Sequence, residues 1–375
     1  NEERHRANAY LYCNEAICPV CGFRVPLAPS WIIGKGTRTV AILKENPDKR
    51  NFDIEIKSNA TKAEMEQAEK MATVRDNSML CHHCKNSTPI SVLRRDKRKE
   101  DGTIEYGLRR WEADEFIPRP DDVFQERLYC IRYETQDGKR YYTAPTGKDL
   151  EREEKVVALL KERFKEWQEK GYIPSFKIED GEKTNELIRT RGWAYWHQLF
   201  NPRQLLVHGL LMELIDKYAK TQKEKVIGLL GVNKCCNWNS KLCIWISDGA
   251  NEKGSHTFRN QALNTLFNYN TRTLLSLDTS WFYNINIYKL FNNNVLKTTD
   301  ARINENTAEF WITDPPYADA INYHELSEFF LAWDKRMLFD VFPDWYVDSK
   351  RALAVKGTGE SFNQSMVDIY RNLAE

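Results

Sequence analysis

Two Cys-x-x-Cys pairs constrain the fold of this chain more than any other feature. The stretch "CPVC" places Cys18 and Cys21 on one tight turn, and "CHHC" places Cys81 and Cys84 on another. Two such turns can close a tetrahedral site of four thiolates around a zinc ion. Gly22 follows the first pair, where backbone freedom helps amide groups to point at a sulfur. The pairs therefore predict a structural zinc ion.

The interval between the pairs is longer than in standard zinc ribbons. Residues 22–80, a stretch of 59, separate them, so an insertion must loop out. A polar helix is expected within 59–73, with Asn59 as its cap. His82 or His83 could replace a cysteine, but four sulfurs with both histidines exposed is the favoured interpretation. Two alternatives stay open: two separate metal sites, and unrelated buried cysteines. A redox role is disfavoured because neither pair lies at a βα junction.

A second motif, "TDPPY", follows an apolar run at 307–313 that predicts a short strand ending at Asp314. In open α/β sheets, ligands gather at the carboxyl ends of the strands. Pro315 and Pro316 lack backbone donors, so the preceding carbonyl is held outward. A carboxylate and a fixed carbonyl together can accept both N–H groups of an exocyclic amine. Tyr317 offers a flat face for a base flipped out of a duplex.

Length and charge bound the class of protein. The 375 residues suffice for two or three domains, and a formal net charge of +1 comes from 55 basic and 54 acidic residues. A nucleic-acid partner would therefore be held by a local basic patch. The basic run at 94–101 is one candidate for such a patch, with a solvated turn as the favoured interpretation. No apolar run is long enough to span a membrane and no signal segment is present, so a cytoplasmic protein is expected.

Polar residues near the second motif are candidates for nucleic-acid contact. Arg259, Asn260 and Gln261 could meet phosphate or base edges, and a polar loop on the rim is the alternative. His324 and Glu325 open the helix after the motif and could bond a base or a phosphate. A satisfied helix cap is the favoured interpretation of these two residues.

Hydrophobic periodicity predicts the remaining elements. Hairpins are expected at 31–45 and 123–145, the second turning at Asp137-Gly138, and helices at 148–171, from Asn201-Pro202 onward, at 322–338 and at 361–375. The helix after Pro202 is expected to be buried against a sheet through an apolar stripe: Leu205, Leu206, Leu210, Leu211, Leu214 and Ile215. An aromatic cluster is expected in the core, with a base-stacking surface as the alternative: Trp193, Trp196, His197 and Phe200. Cys235, Cys236 and Cys243 lack metal-ligand spacing and are expected to be buried or free thiols.

Taken together, these motifs resemble one known family. The "TDPPY" motif is similar to the catalytic motif of amino-group DNA methyltransferases. In order along the chain stand the cysteine pairs, "LFNPRQLLVHGLL", "HTFRNQAL" and "TDPPYADAINYHELSEFFLAW". They resemble the large adenine-specific DNA methylases that contain a zinc ribbon, some of which belong to anti-phage defence systems. The resemblance runs from about residue 8 to the end.

The resemblance implies an enzyme that transfers a methyl group from S-adenosylmethionine to the N6 amino group of adenine in DNA. Its target adenine would be flipped out, held by Asp314 and Pro315 with Pro316 completing the motif, and stacked on Tyr317. The four cysteines would bind zinc, and defence-system proteins would be its partners. Alternatives are an RNA or other amino-group methyltransferase, and a non-catalytic DNA-binding subunit of a defence complex.

The implied fold class is α/β, with a Rossmann-like methyltransferase core that is incomplete in this chain, an inserted zinc-ribbon module and additional helices. The implied domains are a zinc-ribbon module at 1–95, a hairpin and helical insert at 96–190 that can contact DNA, and part of the catalytic domain at 191–375. The Gly-rich turn that binds S-adenosylmethionine in such enzymes is not found and would fall before Asn1. We therefore expect a piece of a longer protein that alone does not bind S-adenosylmethionine tightly.

Overall fold

The chain forms a mixed α/β structure in this computed structural model. The structure describes residues 5–249, 252–278, 281, 295–315, 321–345, 347–355 and 359–374. Its strands are β1 (Arg6–Ile17), β2 (Arg24–Leu27), β3 (Ile32–Gly34), β4 (Thr39–Asn46), β5 (Asn51–Lys57), β6 (Val74–Arg75), β7 (Ser78–Leu80), β8 (Ser87–Pro89), β9 (Lys97–Arg98), β10 (Ile104–Glu105), β11 (Gln125–Glu134), β12 (Arg140–Thr143), β13 (Trp245–Ile246), β14 (Lys253–Gly254) and β15 (Asn268–Arg272).

Helices dominate the second half of the described chain. They are α1 (Lys62–Lys70), α2 (Ile90–Leu93), α3 (Gly147–Lys170), α4 (Asn185–Arg191), α5 (Pro202–Tyr218), α6 (Gln222–Trp238), α7 (Leu274–Leu277), α8 (Tyr323–Leu326), α9 (Glu328–Val341) and α10 (Glu360–Ala374). Short 3-10 turns lie at Trp196–Leu199, Arg259–Gln261, Ala301–Ile303 and Lys350–Ala352.

An eight-stranded sheet is organised around β1. The strand order is β12-β11-β1-β2-β5-β4-β3, and β15 lies beside β1. β1 pairs with β11 along one edge, and with β15 and then β2 along the other. The pairs are antiparallel except for β2 with β5. The sheet therefore contains strands from all three predicted domains, 1–95, 96–190 and 191–375. The domain boundaries themselves stay a prediction.

Several elements that were predicted from local sequence patterns are confirmed. Hairpins β3–β4 and β11–β12 form, and Gly138 sits in the second turn at a φ of 79°. α3 ends where Gly171 follows, and its Leu160, Phe164 and Trp167 are buried. The Asn201 side chain caps α5, with Pro202 at its first position. The aromatic cluster and the three late cysteines are buried as expected: Trp193, Trp196, His197, Phe200, Cys235, Cys236 and Cys243.

Three details of the sequence predictions are wrong. The cap of α1 is Thr61, whose hydroxyl accepts the Glu64 N–H, because Asn59 has a left-handed φ of 53°. On α5, Leu205 is fully buried, but Leu210 and Leu214 are exposed because this helix packs mainly between α3 and α6.

The predicted strand at 307–313 is the third error. These residues belong to no strand, and Phe310 is 86 % and Ile312 100 % exposed. An apolar run becomes a strand only when a neighbour pairs with its backbone groups. No described strand pairs with this run. The segment instead leads as irregular backbone to Asp314.

Candidate functional site

Four cysteines form a candidate metal centre at one end of the sheet. Cys18 follows β1, Cys21 lies on the turn before β2, and Cys81 and Cys84 lie on the turn between β7 and β8. Their sulfur atoms all lie within 4.8 Å of one another. A tetrahedral zinc ion with Zn–S bonds of about 2.3 Å would hold sulfurs about 3.8 Å apart.

The sulfur spacing matches that geometry. The Sγ atoms of Cys18 and Cys84 are 3.7 Å apart, and those of Cys21 and Cys81 are 3.6 Å apart. One site, not two, therefore joins the two pairs, and four close cysteines could hold a zinc ion. The chain folds this way because β1–β2 and β7–β8 bring each turn to the same point.

Both histidines beside the second pair have other partners. Nε2 of His82 lies 2.9 Å from the carbonyl oxygen of Met71. His83 stacks on Phe23 with ring centroids 3.7 Å apart, and its Nδ1 lies 3.0 Å from Glu45. The expectation of four sulfur ligands is thus matched by the geometry. His83 is exposed as expected, whereas His82 is half-buried.

The thiols of this centre do not ionise equally. Burial raises the pKa of Cys81 to about 12. Burial also opposes ionisation of Cys84, but hydrogen bonds from Asn86 and from neighbouring thiols lower the Cys84 pKa to about 6. A divalent cation would favour the thiolate form of all four, since metal ligands bind deprotonated.

Asp314 and Pro315 line a cavity of about 550 Å³, here called the Asp314 cavity. Its other described lining residues are mostly apolar or aromatic: Thr299, Ala301, Asn304, Trp311, Thr313, Ile321, Asn322, Tyr323, His324, Leu353, Ala354, Val355, Met366, Ile369, Tyr370 and Leu373. Asp314 is the one carboxylate among them. A carboxylate in a largely apolar cavity of this size suits a flat, uncharged ring that carries a hydrogen-bond donor.

A second cavity of about 610 Å³ adjoins the first, here called the Lys350 cavity. The two share Thr299, Ile321, Tyr323, His324, Leu353 and Ala354. The remaining described lining of the second is Phe258, Gln261, Lys297, Thr298, Leu326, Ser327, Phe330 and Lys350. It holds two lysines and no carboxylate among these residues. Burial lowers the pKa of Lys350, and the charge of Asp348 opposes that shift.

Buried carboxylates fix the wall that the two cavities share. Glu325, next to His324, accepts the backbone N–H groups of Glu182, Lys183 and Thr184 at 2.9–3.0 Å. A Cβ on Gly181 would lie 2.4 Å from this carboxylate, so the approach requires glycine. Glu325 therefore ties the start of α8 to the loop before α4, as a satisfied carboxylate rather than a ligand-binding one.

The structure places the other predicted site residues as follows. His324 lines both cavities and Gln261 lines the Lys350 cavity. Arg259 and Asn260 are exposed on the adjoining 3-10 turn and line neither cavity. Pro316 and Tyr317 lie outside the described residues.

Several cavity residues were missed at the sequence level. The amphipathic helix predicted at 361–375 is α10, and its Met366, Ile369, Tyr370 and Leu373 line the Asp314 cavity. The sequence signal for these residues was the apolar face of this helix, for which no packing partner was predicted. Lys297 and Lys350 carried no such signal, because isolated lysines in loops are ordinary surface residues.

The described residues do not fit S-adenosylmethionine beside Asp314. Its sulfonium and ammonium groups are cations, and the two lysines of the adjoining Lys350 cavity could pair only with its single carboxylate. Like charges at close range are unfavourable. The described residues therefore make the Lys350 cavity a poor site for the cationic half of S-adenosylmethionine.

Comparison with protein-family models, with curated proteins and with solved structures returns no match to this chain. None of the described helices is long and apolar enough to cross a membrane.

Proposed function

We propose that this chain carries the target-base site of a DNA methyltransferase that modifies the N6 amino group of adenine. The observation that supports it is the position of Asp314 and Pro315 on a cavity with aromatic and apolar walls. The motif these residues belong to is the one that amino-group methyltransferases share. A restriction or anti-phage defence setting, with defence-system partner proteins, belongs to the same proposal.

The carboxylate of Asp314 supplies the chemistry on the base side. An exocyclic amine is a poor nucleophile because its lone pair is delocalised into the ring. A hydrogen bond from its N–H to Asp314 favours the localised, tetrahedral form of the nitrogen. The same carboxylate can hold the proton that the amine must lose. Trp311, Tyr323 and Tyr370 supply aromatic surface beside it for a base taken out of the stack.

Zinc has a structural role in this proposal. The Cys18, Cys21, Cys81 and Cys84 centre would be fully occupied by four protein ligands, which is typical of structural sites. It lies next to a small core that includes Phe23, Val25 and Phe52. The metal would stabilise that core and take no part in the reaction. The finer fold assignment, a Rossmann-like methyltransferase core with a zinc-ribbon insert, also belongs to this proposal.

A non-catalytic DNA-binding role is the second candidate. The observation that favours it is the pair of lysines in the Lys350 cavity, which would repel the sulfonium of S-adenosylmethionine but suit a nucleic-acid phosphate. In that case, Asp314 and its cavity would bind a nucleobase without modifying it.

The identity of the modified base tests the proposal. The full-length protein is incubated with S-adenosylmethionine and with duplex DNA or RNA of matched sequence, and the digested nucleosides are measured by mass spectrometry. We expect N6-methyladenine in the DNA, and none when every adenine is replaced by purine lacking the amino group. Methylation of RNA alone, methylation of cytosine, or no methylation would contradict the proposal. No methylation together with intact DNA binding would favour the non-catalytic role.

A further inference from the structure

We propose that the Lys350 cavity binds a backbone phosphate next to the nucleotide whose base enters the Asp314 cavity. The inference depends on the proposed function for the identity of the base, but its chemistry is that of a phosphodiester. The two cavities share a wall, so a ligand that fills one is next to the other. A base and its own phosphate are joined by one sugar, which is a short enough link to place them in adjoining cavities.

The charge of the Lys350 cavity favours an anion. Lys297 and Lys350 line it, and no described lining residue is a carboxylate. Asp348, whose charge acts on Lys350 from outside the lining, is itself paired with Lys335 at 2.9 Å. Thr298, Ser327 and Gln261 add hydroxyl and amide donors. The Asp314 cavity has the opposite character, with one carboxylate and no lysine or arginine among its described lining residues. The pair of cavities thus matches a nucleotide, whose neutral base donates hydrogen bonds and whose phosphate accepts them.

The residues on both sides of Lys350 bond to one buried carboxylate, that of Glu328. Ser349 Oγ donates to Glu328 at 2.6 Å, and Arg351 Nε donates to the same carboxylate oxygen at 2.6 Å. The residues on both sides of Lys350 are therefore fixed to α9. Because Lys350 is half-buried, its ammonium has lost part of its water, which also lowers its pKa.

An aromatic floor gives the same cavity a second feature of nucleic-acid sites. Phe258 and Phe330 line it, with ring centroids 5.3 Å apart. Phe329 is fully buried behind them, 5.2 Å from each ring, and fixes their positions. Flat apolar side chains beside a cationic group are the usual combination in sites for single-stranded nucleic acid. The base that flanks the target nucleotide can stack on this floor.

The binding test uses the full-length protein without methyl donor. Its probe is a fluorescein-labelled single-stranded oligonucleotide with one adenine among thymines, followed by anisotropy. Lys350→Gln and Lys297→Gln should each weaken binding roughly tenfold and lower the slope of log K against log salt by about 0.7. The control Lys155→Gln removes an exposed lysine of α3 and should change neither quantity.

A neutral linkage identifies the phosphate. Oligonucleotides with one methylphosphonate, either 5′ or 3′ of the adenine, remove one charge each. At one of these linkages, the methylphosphonate should weaken binding to the unsubstituted protein as much as Lys350→Gln weakens binding of the unmodified oligonucleotide. Combining that methylphosphonate with Lys350→Gln should weaken binding no further. Additive losses at both linkages, or no effect of Lys350→Gln, would overturn the proposal.

Two further arms separate the alternatives. Inorganic phosphate that competes as well as the oligonucleotide would mean a simple anion site and would also overturn the proposal. If thymine in place of the adenine leaves affinity unchanged while the methylphosphonate effect persists, the phosphate site stands and the proposed base specificity fails.

Discussion

Arg351 forms a two-bond ion pair with the buried carboxylate of Glu328. Nε of Arg351 lies 2.6 Å from Oε1 of Glu328, and Nη2 lies 2.8 Å from Oε2. The same guanidinium donates to the carbonyl groups of Glu179 and Asp180. This pair joins α9, the turn that carries Lys350 and the loop before α4, so it fixes one side of both cavities.

Replacing Arg351 should therefore destabilise the fold strongly. Arg351→Met leaves the Glu328 carboxylate buried without its cation and with only the Ser349 hydroxyl as a partner named here, which costs roughly 3–5 kcal/mol of unfolding free energy. Urea unfolding followed by circular dichroism measures this loss. The matched control, Arg371→Met on α10, removes an exposed arginine and should change stability by less than about 0.5 kcal/mol. Equal effects of the two substitutions would show that the ion pair does not fix this region.

Zinc should bind the cysteine centre at about one ion per chain, since its four ligands converge on one point. Cys84→Ser should lose the metal and lower the unfolding temperature, because the adjoining core then lacks its metal link. Metal analysis by mass spectrometry and thermal unfolding with and without chelator check both effects. Cys130→Ala, a buried cysteine of β11 outside the centre, should reduce stability but keep zinc. If the protein without zinc kept its full stability, the proposed structural role of zinc would be wrong.

Asp334 should make stability depend on pH. Burial raises its pKa to about 7, although Asn233 donates a hydrogen bond to it at 2.7 Å. The folded state therefore keeps a proton that the unfolded chain releases near pH 3.9, so this group lowers stability as pH rises from about 4 to about 7. The full loss is on the order of 4 kcal/mol.

The variant Asp334→Asn should remove this dependence. It keeps an acceptor for Asn233 but cannot ionise, so it should gain stability over the unsubstituted protein at pH 8 and match it at pH 4. Asp340→Asn, an exposed position on the same helix, is the control and should leave the pH profile unchanged. Identical profiles for all three proteins between pH 4 and 8 would contradict the assignment to Asp334.

Much of the fold could be predicted from local pattern. Three features follow from periodicity and turn chemistry, which depend on residues close together in the sequence: the hairpin β11–β12, helix α3 and the cap of α5. The cysteine centre was also predictable, because the ligand type and the two-residue spacing specify a metal turn wherever the loops lie.

The candidate site was less predictable because it depends on contacts between distant residues. Asp314 was identified from its motif, but its strand was wrong, since pairing depends on a neighbour the segment does not contain. Glu325 accepts amides about 140 residues earlier in the chain, and nothing in its own sequence context indicates that loop. The same holds for Lys350, whose role depends on which cavity its turn borders.

The 375-residue chain should bind S-adenosylmethionine only weakly. The lysines of the Lys350 cavity disfavour its sulfonium, and no Gly-rich turn is present in the sequence to hold it. Isothermal calorimetry measures this directly, with S-adenosylhomocysteine as the matched ligand that lacks the sulfonium charge. Micromolar affinity for S-adenosylmethionine would contradict this prediction and would mean that the chain contains a site for the methyl donor.

Methylation by Asp314 variants of the full-length protein tests the central claim most directly. Glu309→Ala, an exposed carboxylate five residues earlier, is the control, and oligonucleotide binding and thermal unfolding confirm that each variant is intact. Asp314→Ala and Asp314→Asn should reduce the rate of N6-methyladenine formation by roughly 100-fold or more, because an oriented acceptor at the reacting nitrogen is lost. Glu309→Ala should keep the full rate. Unchanged methylation by Asp314→Ala would contradict the account.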